Sequence, residues 1–167
     1  MAVRIDKAFF TAFDQASPVC HGLPGTAYTS GEFFELEANQ LFAASWSFVG
    51  FAHQLANVGD VQPLTVAGKP VFLVRSEADK IRAFHNVCRH RNLKLIGQAG
   101  HCDALITCPY HRWSYDFGGQ LRLAPYFGGG KTGLPDGFDL ANHGLYEIQC
   151  HTFHDWIFVN LDGQAES

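Results

Sequence analysis

The sequence predicts a mainly β fold of antiparallel strands with a short helical arm at its N-terminus. Its 17 Gly, 15 Phe, 5 Tyr and 3 Trp are typical of a loop-rich β domain. From Trp46 onward, short runs of β-branched and aromatic residues alternate with turn residues. Before Trp46 the apolar residues instead recur at helical spacing. These three observations indicate one domain preceded by an arm.

Residues 1–45 are predicted to form the arm, with one helix. The stretch from Thr29 to Glu32 (TSGE) has the spacing of a capping box, which begins many helices. The apolar residues that follow it at helical spacing are Phe34, Ala38, Leu41 and Phe42.

Residues 46–164 are predicted to form an antiparallel β domain. The predicted strand segments are SFVGFAHQL (47–55), PLTVAGKPVFLVRS (63–76) with a turn at Ala67 to Lys69, KIRAFHNV (80–87), ALITC (104–108), WSYDFGGQLRL (113–123) with a turn at Phe117 to Gly119, LYEIQCHTF (145–153) and WIFVNL (156–161).

The charge and the cysteine content of the chain limit the classes of function that it can have. The chain has 12 Lys and Arg against 16 Asp and Glu, a net charge of −4, so we expect no nucleic-acid partner. It has neither a signal-peptide pattern nor an apolar stretch of about 18 residues, so we expect a cytoplasmic protein with no membrane partner. Five cysteines without an export signal favour metal binding over a disulfide framework.

Two pairs of metal-binding residues, Cys88 with His90 and Cys108 with His111, stand where strand patterns end. Two neighbouring loops could therefore hold one group between them. A single tetrahedral zinc could use all four side chains, but structural zinc sites usually separate paired ligands by two to four residues. A Rieske [2Fe–2S] cluster, with two thiolates on one iron and two imidazoles on the other, removes this constraint.

Residues 86–121 resemble the Rieske domain of ring-hydroxylating oxygenase α subunits. The resemblance is carried by NVCRHR and CPYHRWSYDFGGQL, and it extends to AYTSGEFFELEANQLFAASWSFVG upstream and HDWIFVNLDG downstream. It implies a Rieske-type antiparallel β-sandwich with two cluster-binding hairpin loops. It also implies that Cys88 and Cys108 bind one iron as thiolates, and that His90 and His111 bind the other.

The ligand set predicts the range of the reduction potential. Two ferric ions, two sulfides and two thiolates carry no net charge, whereas four thiolates would leave the oxidised core negative. Imidazole ligation therefore raises the potential to roughly −150 to +300 mV, against about −400 mV for plant-type clusters. High-potential respiratory relatives also join the two loops by a disulfide, and Leu93 and Tyr110 occupy those positions here. The chain thus resembles the lower-potential oxygenase and ferredoxin type.

Two residues depart from the usual oxygenase pattern in the loops. Asn92 and Arg112 both stand where Gly is frequent in the family. Asn tolerates a left-handed backbone, so we expect the turn at Asn92 to be kept. A cation at Arg112 should favour the reduced, more negative cluster.

Oxygenases of this family also use a mononuclear iron held by two His and one carboxylate. The remaining cluster of such residues is His151, His154 and Asp155. His151 and His154 would face opposite sides of a strand, so we expect no such site. We therefore assign no catalytic residue, and we expect mononuclear Fe(II) only in a catalytic domain that is absent from these residues.

Four other residues that could be mistaken for functional ones are predicted to be structural, and two aromatic residues are predicted to pack beneath the cluster. The first group is His85, His101, Cys102 and Cys150; the second is Trp113 and Tyr115.

The predicted function is one-electron transfer as the N-terminal domain of an oxygenase α subunit. The resemblance implies a ferredoxin or flavin reductase as electron donor, a mononuclear-iron oxygenase domain as acceptor, and a homotrimer for the full-length protein. A self-contained Rieske ferredoxin-type carrier is the alternative, and a zinc-stabilised interaction domain is a third hypothesis. Aromatic-ring and quaternary-amine substrates both stay open, because specificity in the family resides in the catalytic pocket.

Overall fold

The computed structural model describes residues 22–128 and 134–166. Residues 1–21 of the predicted arm lie outside this part of the chain. The described strands are β1 (Ser47–Phe51), β2 (Asp60–Val66), β3 (Lys69–Glu77), β4 (Lys80–His85), β5 (Gly100–His101), β6 (Ile106–Thr107), β7 (Ser114–Tyr115), β8 (Leu121–Leu123), β9 (Glu147–Phe153) and β10 (Trp156–Asn160).

These strands form two antiparallel sheets. The larger sheet has the order β1-β10-β9-β4-β3-β2-β5, and the smaller has the order β6-β7-β8. Every strand pair is antiparallel. The prediction of a mainly β, antiparallel fold is confirmed.

Two cores lie on opposite faces of β3, because successive side chains of a strand point to opposite sides. Phe72 and Val74 belong to the first core, which contains Cys88 and Cys108 and the β6-β7-β8 sheet. Val71 and Leu73 belong to the second core, in the space between β2-β3-β4 and β1-β10-β9. Residues of the second core are Leu55, Val66, Val71, Leu73, Ile81, Ala83, Ile148, Ile157 and Val159.

Both predicted hairpin turns are present. Ala67 and Gly68 join β2 to β3 with positive φ angles of 46° and 74°, as a two-residue hairpin turn requires. Asp116 organises the β7–β8 turn, since its backbone carbonyl accepts the amide of Gly119 and its carboxylate accepts the amide of Gln120.

Some predicted strand ends were wrong. Ala52–Gln54 is a 3-10 turn rather than the continuation of β1, and its start is fixed by the amide of Ala52 donating to the carbonyl of Asp155. The ALITC segment contributes only the two residues of β6, and β5 was not predicted. β5 and β6 have two residues each, which is too few to show alternation.

The predicted helix forms as α1 (Gly31–Glu37) and continues as a π-helical turn (Ala38–Phe42). The cap is Ser30 rather than Thr29, since the Ser30 hydroxyl accepts the amide of Phe33 at 3.2 Å. Burial also differs from the predicted apolar face: Phe33 and Ala38 are buried, whereas Phe34, Leu41 and Phe42 are largely exposed.

The end of the arm is tied to the last strand. Asn160, which is fully buried, donates from its side chain to the carbonyls of Ala43 and Ser45. The indole of Trp46 donates to the carbonyl of Glu166 at 2.8 Å. Within the described ranges, no helix is both long enough and apolar enough to cross a lipid bilayer.

Candidate metal centre

The first candidate loop follows β4 and contains Cys88 and His90. The amide of Cys88 donates to the carbonyl of Leu93 at 2.8 Å, and the amide of Asn92 donates to the carbonyl of Cys88 at 2.9 Å. Asn92 has a φ of 57°, so the expected left-handed turn is present. These bonds fold the loop back on itself and fix the backbone on both sides of His90.

The second loop joins β6 to β7 and repeats the same backbone pattern. The amide of Cys108 donates to the carbonyl of Trp113, and the amide of Arg112 donates to the carbonyl of Cys108. Arg112 is left-handed, with a φ of 59°. In both loops the left-handed residue is the fourth after the cysteine, although the histidine is the second in one loop and the third in the other. The loops are thus structurally equivalent despite their different sequence spacing.

The two loops bring the thiols together and the imidazoles together. Cys88 and Cys108 are both buried in the first core; burial raises the pKa of the Cys88 thiol, and the neighbouring Cys108 thiol adds to the rise. The rings of His90 and His111 lie with centroids 4.7 Å apart. The structure therefore places sulfur donors on the core side and nitrogen donors beside them, nearer the surface.

The donors fit a [2Fe–2S] cluster chemically. Nδ1 of His111 is buried and has no hydrogen-bond partner among the described residues, as expected of a nitrogen reserved for a metal. Burial lowers the pKa of His90, with further lowering by the charges of His111 and Arg91, and a neutral imidazole is the form that binds metal. In the described part of the chain, no three His, Cys, Asp or Glu side chains are arranged around one metal ion. A Rieske cluster needs only two protein ligands per iron.

Tyr115 supports the first thiol. Its hydroxyl lies 3.4 Å from Sγ of Cys88 and accepts the amide of Arg89 at 3.0 Å. Because that amide occupies the oxygen as a donor, the hydroxyl proton is free to point at the sulfur. Burial raises the pKa of the Cys88 thiol, and this hydrogen bond opposes the rise by favouring the thiolate.

Trp113 lies beneath the imidazoles. Its ring stacks on His90 with centroids 4.8 Å apart and an interplanar angle of 11°. Trp113 and Tyr115 are both fully buried in the first core. The prediction that these two alternating residues pack under the site is confirmed, but their specific contacts were not predicted.

Asn86 is a structural residue of the site that the sequence analysis missed. It is fully buried, its amide nitrogen donates to the carbonyl of Ile96, and its oxygen accepts the amides of Leu95 and Ile96. These three bonds join the two ends of the first loop. A polar residue at the end of an apolar strand pattern, two positions before a ligand, was the available signal.

The other four residues considered from the sequence have structural contacts. They are His85, His101, Cys102 and Cys150. Burial lowers the pKa of His85, whose amide donates to the carbonyl of Tyr146. His101 contacts the carboxylate of Asp60 at 2.8 Å. Cys102 packs at the edge of the first core, and Cys150 packs on the second, where burial raises its pKa to about 12.

His151, His154 and Asp155 do not converge. His151 lies on β9 with its ring 6.2 Å from that of Trp46, while His154 lies in the β9–β10 turn with a φ of 54°. The carboxylate of Asp155 contacts Nδ1 of His53 at 2.5 Å, which lowers the pKa of Asp155. Asp155 holds the hairpin tip against the turn after β1, because its carboxylate and its carbonyl accept the amides of His53 and Ala52.

Comparison with known proteins identifies the class to which this fold and site belong. The model of the Rieske [2Fe–2S] domain family matches residues 45–133, more than half of the chain, and the chain belongs to this family. Its cofactor is a Rieske-type [2Fe–2S] cluster, and its role is electron transfer.

The similar curated proteins are oxygenase subunits. The glycine betaine monooxygenase oxygenase subunit of Chromohalobacter salexigens is 35% identical over 144 residues, covering 86% of this chain and 31% of that protein. The carnitine monooxygenase oxygenase subunit of Acinetobacter baumannii is 32% identical, covering 85% and 37%. The α subunit of 2-aminobenzenesulfonate 2,3-dioxygenase from an Alcaligenes species is also 32% identical, covering 88% and 37%. The chain spans about a third of the length of these relatives.

Solved structures agree with this assignment. A quaternary ammonium Rieske monooxygenase, described with carnitine oxidation and inter-subunit electron transfer, superposes with a TM-score of 0.79 at 32% identity, covering 89% of this chain and 40% of that one. Naphthalene 1,2-dioxygenase superposes with a TM-score of 0.73 at 28% identity, covering 81% and 30%.

Proposed function

We propose that Cys88 and Cys108 hold one iron of the cluster and that His90 and His111 hold the other. The observation that carries this proposal is the pairing of thiol with thiol and imidazole with imidazole across two equivalent loops. A cluster bound there supplies one-electron redox chemistry at a potential set by mixed sulfur and nitrogen ligation.

The surrounding residues give the two ends of the site different roles. The thiols are almost completely buried, at 1% and 2% exposure, so the protein excludes water from the sulfur end. The imidazoles are only partly buried and lie nearer the surface. Electron exit therefore runs through the imidazole end, where Trp113 holds the ring of His90 in one orientation.

We also propose that residues 46–164 act as the cluster domain of an oxygenase α subunit, with residues 1–45 as its arm. In this role the chain accepts an electron from a ferredoxin or flavin reductase and delivers it to a mononuclear iron in an oxygenase domain. This function is favoured over a self-contained ferredoxin-type carrier because the similar proteins described above are oxygenase subunits. Inter-subunit transfer in the structural relative supports an oligomer, and we propose a homotrimer for the full-length protein.

The test is spectroscopic. The protein is purified anaerobically with its cluster, and iron, sulfide, visible absorption and the electron paramagnetic resonance of the reduced state are measured. Replacing each proposed ligand singly, as Cys88→Ser, Cys108→Ser, His90→Ala and His111→Ala, should abolish or alter the Rieske spectrum. Two irons and two sulfides per chain are expected in the unaltered protein.

Matched controls use the same residue types elsewhere in the chain. Cys102→Ser, Cys150→Ser and His101→Asn should keep the spectrum unchanged, because none of these residues is a proposed ligand. Retention of the spectrum in all four ligand variants would refute the ligand assignment. A single bound zinc in iron-replete preparations would refute the cluster itself.

A further inference from the structure

Arg89 stands between two of the proposed ligands, Cys88 and His90. Its backbone amide donates to the hydroxyl of Tyr115, the same hydroxyl that lies 3.4 Å from Sγ of Cys88. The backbone of Arg89 is therefore held at the sulfur end of the site, and its side chain extends from that end.

The side chain of Arg89 is held in one place, and no carboxylate among the described residues compensates its charge. The guanidinium carbon lies 3.8 Å from the centroid of the Tyr146 ring, and Nη2 approaches the carbonyl of Asn142 at 3.5 Å. Nε is buried and has no hydrogen-bond partner among the described residues. Across residues 22–128 and 134–166, no carboxylate forms an ion pair with Arg89.

A partly buried, unpaired cation is costly unless a negative group lies near it. Reduction adds one negative charge to the site, and a cation held nearby stabilises the more negative state. Arg91 and Arg112 also flank the ligands, but both are exposed, so water and salt screen their charges. Arg89 is the cation of these loops with the least screening.

We infer that Arg89 is a positioning residue that sets the reduction potential of the cluster, acting as a fixed counter-charge clamped on Tyr146. This inference rests on the proposed ligands. The permanent charge of Arg89 favours the reduced state, and the stack on the Tyr146 ring holds the guanidinium in one position instead of letting it extend freely into solvent.

The first experiment compares two arginines of equal charge and unequal burial. Arg89→Gln and Arg91→Gln are prepared with their clusters, and midpoint potentials are measured by anaerobic redox titration at low and at about 1 M salt. Arg89→Gln should lower the equilibrium constant for reduction at least threefold, which is about 28 mV at 59 mV per tenfold change. Arg91→Gln should have a smaller effect that disappears in high salt.

The second experiment tests the clamp without removing the charge. Tyr146→Leu removes the aromatic face, so the guanidinium should move into solvent. The potential should fall by less than in Arg89→Gln, and it should become more dependent on salt. Tyr146→Phe keeps the ring and should have the unaltered potential, and Arg89→Lys should recover part of the loss in Arg89→Gln because the charge is kept.

Equal shifts in Arg89→Gln and Arg91→Gln would overturn the inference. So would identical potentials for Tyr146→Leu and Tyr146→Phe at both salt concentrations, and this pair decides the matter if Arg89→Gln does not assemble a cluster. Failure of the proposed function is distinguishable, since the unaltered protein would then lack the Rieske spectrum. An intact spectrum with an unchanged potential refutes only the role of Arg89.

Discussion

Asn92 and Arg112 close the two cluster loops in the same left-handed conformation, with φ angles of 57° and 59°. Neither residue is Gly. Asn adopts this conformation at low cost, whereas it costs most other residues about 1–2 kcal/mol. Arg112 is exposed, so its side chain gains little packing in return. Its remaining physical contribution at this position is its positive charge.

We expect Arg112→Gly to have two opposite effects. The midpoint potential should fall, because removing a cation near the cluster disfavours the reduced state. The free energy of unfolding should rise by about 1 kcal/mol, because Gly adopts the left-handed conformation without strain. Redox titration measures the first effect, and the midpoint of urea unfolding measures the second.

Arg112→Lys is the matched control, since it keeps the charge and the backbone strain and should leave both measurements nearly unchanged. An unchanged or raised potential in Arg112→Gly would contradict the electrostatic role. Loss of stability in the same variant would contradict the strain.

At the scale of single residues, the sequence identifies donors better than their supports. Cys88, His90, Cys108 and His111 could be proposed as donors from the sequence because metal binding depends on residue type and spacing, and the structure brings their side chains together. The contact of Tyr115 with Cys88 joins residues 27 positions apart, so no local pattern shows it. Asn86 likewise acts through backbone amides nine and ten residues away. Such partners become visible only when the sheet brings the segments together.

Among the structural elements, the β7–β8 hairpin packs closely against Phe84 of the large sheet. Gly119 has a φ of 83°, and a Cβ atom there would lie 2.5 Å from Cε1 of Phe84, a fully buried core residue. The carbonyl of Gly119 also accepts the amide of Leu145 at 2.7 Å. This turn thus requires Gly for both conformation and space.

We expect Gly119→Ala to lower the free energy of unfolding by about 2–4 kcal/mol, combining backbone strain with overpacking against Phe84. Gly68→Ala is the matched control, because Gly68 has a similar φ of 74° but open space around it. That control should cost only about 1 kcal/mol of strain. Urea unfolding of the two variants measures both, and equal losses would show that the contact with Phe84 is unimportant.

The hairpins were predictable because turn residues mark them in the sequence. One example is Ala67-Gly68, which joins β2 to β3. The short strands β5 and β6 were not, since two residues show no period and pairing depends on distant segments. Ala52–Gln54 leaves the β1 direction because its backbone binds Asp155, more than 100 residues later. Tertiary contacts therefore decided the element ends that the sequence missed.

At the scale of the whole molecule, β2-β3-β4 separates two cores of different character. The second core is formed by aliphatic side chains of the large sheet together with Leu55 from the connection between β1 and β2. The first core contains both proposed thiolate ligands and joins the large sheet to β6-β7-β8, whose strands have only two or three residues. We therefore expect the order of the first core, but not of the second, to depend on the two candidate loops.

Removing the cluster should consequently loosen one side of the molecule only. Iron is removed with a chelator under reducing conditions, and amide hydrogen exchange is compared before and after. Amide exchange should become at least tenfold faster in segments 86–96 and 106–123, because the loop amides lose the metal constraint that holds them. A tenfold change corresponds to about 1.4 kcal/mol of local stability. Exchange in β9 and β10 should change less than threefold, because their inward side chains pack in the second core. Equal acceleration in both regions would mean that the two cores unfold together and that the metal supports the entire fold.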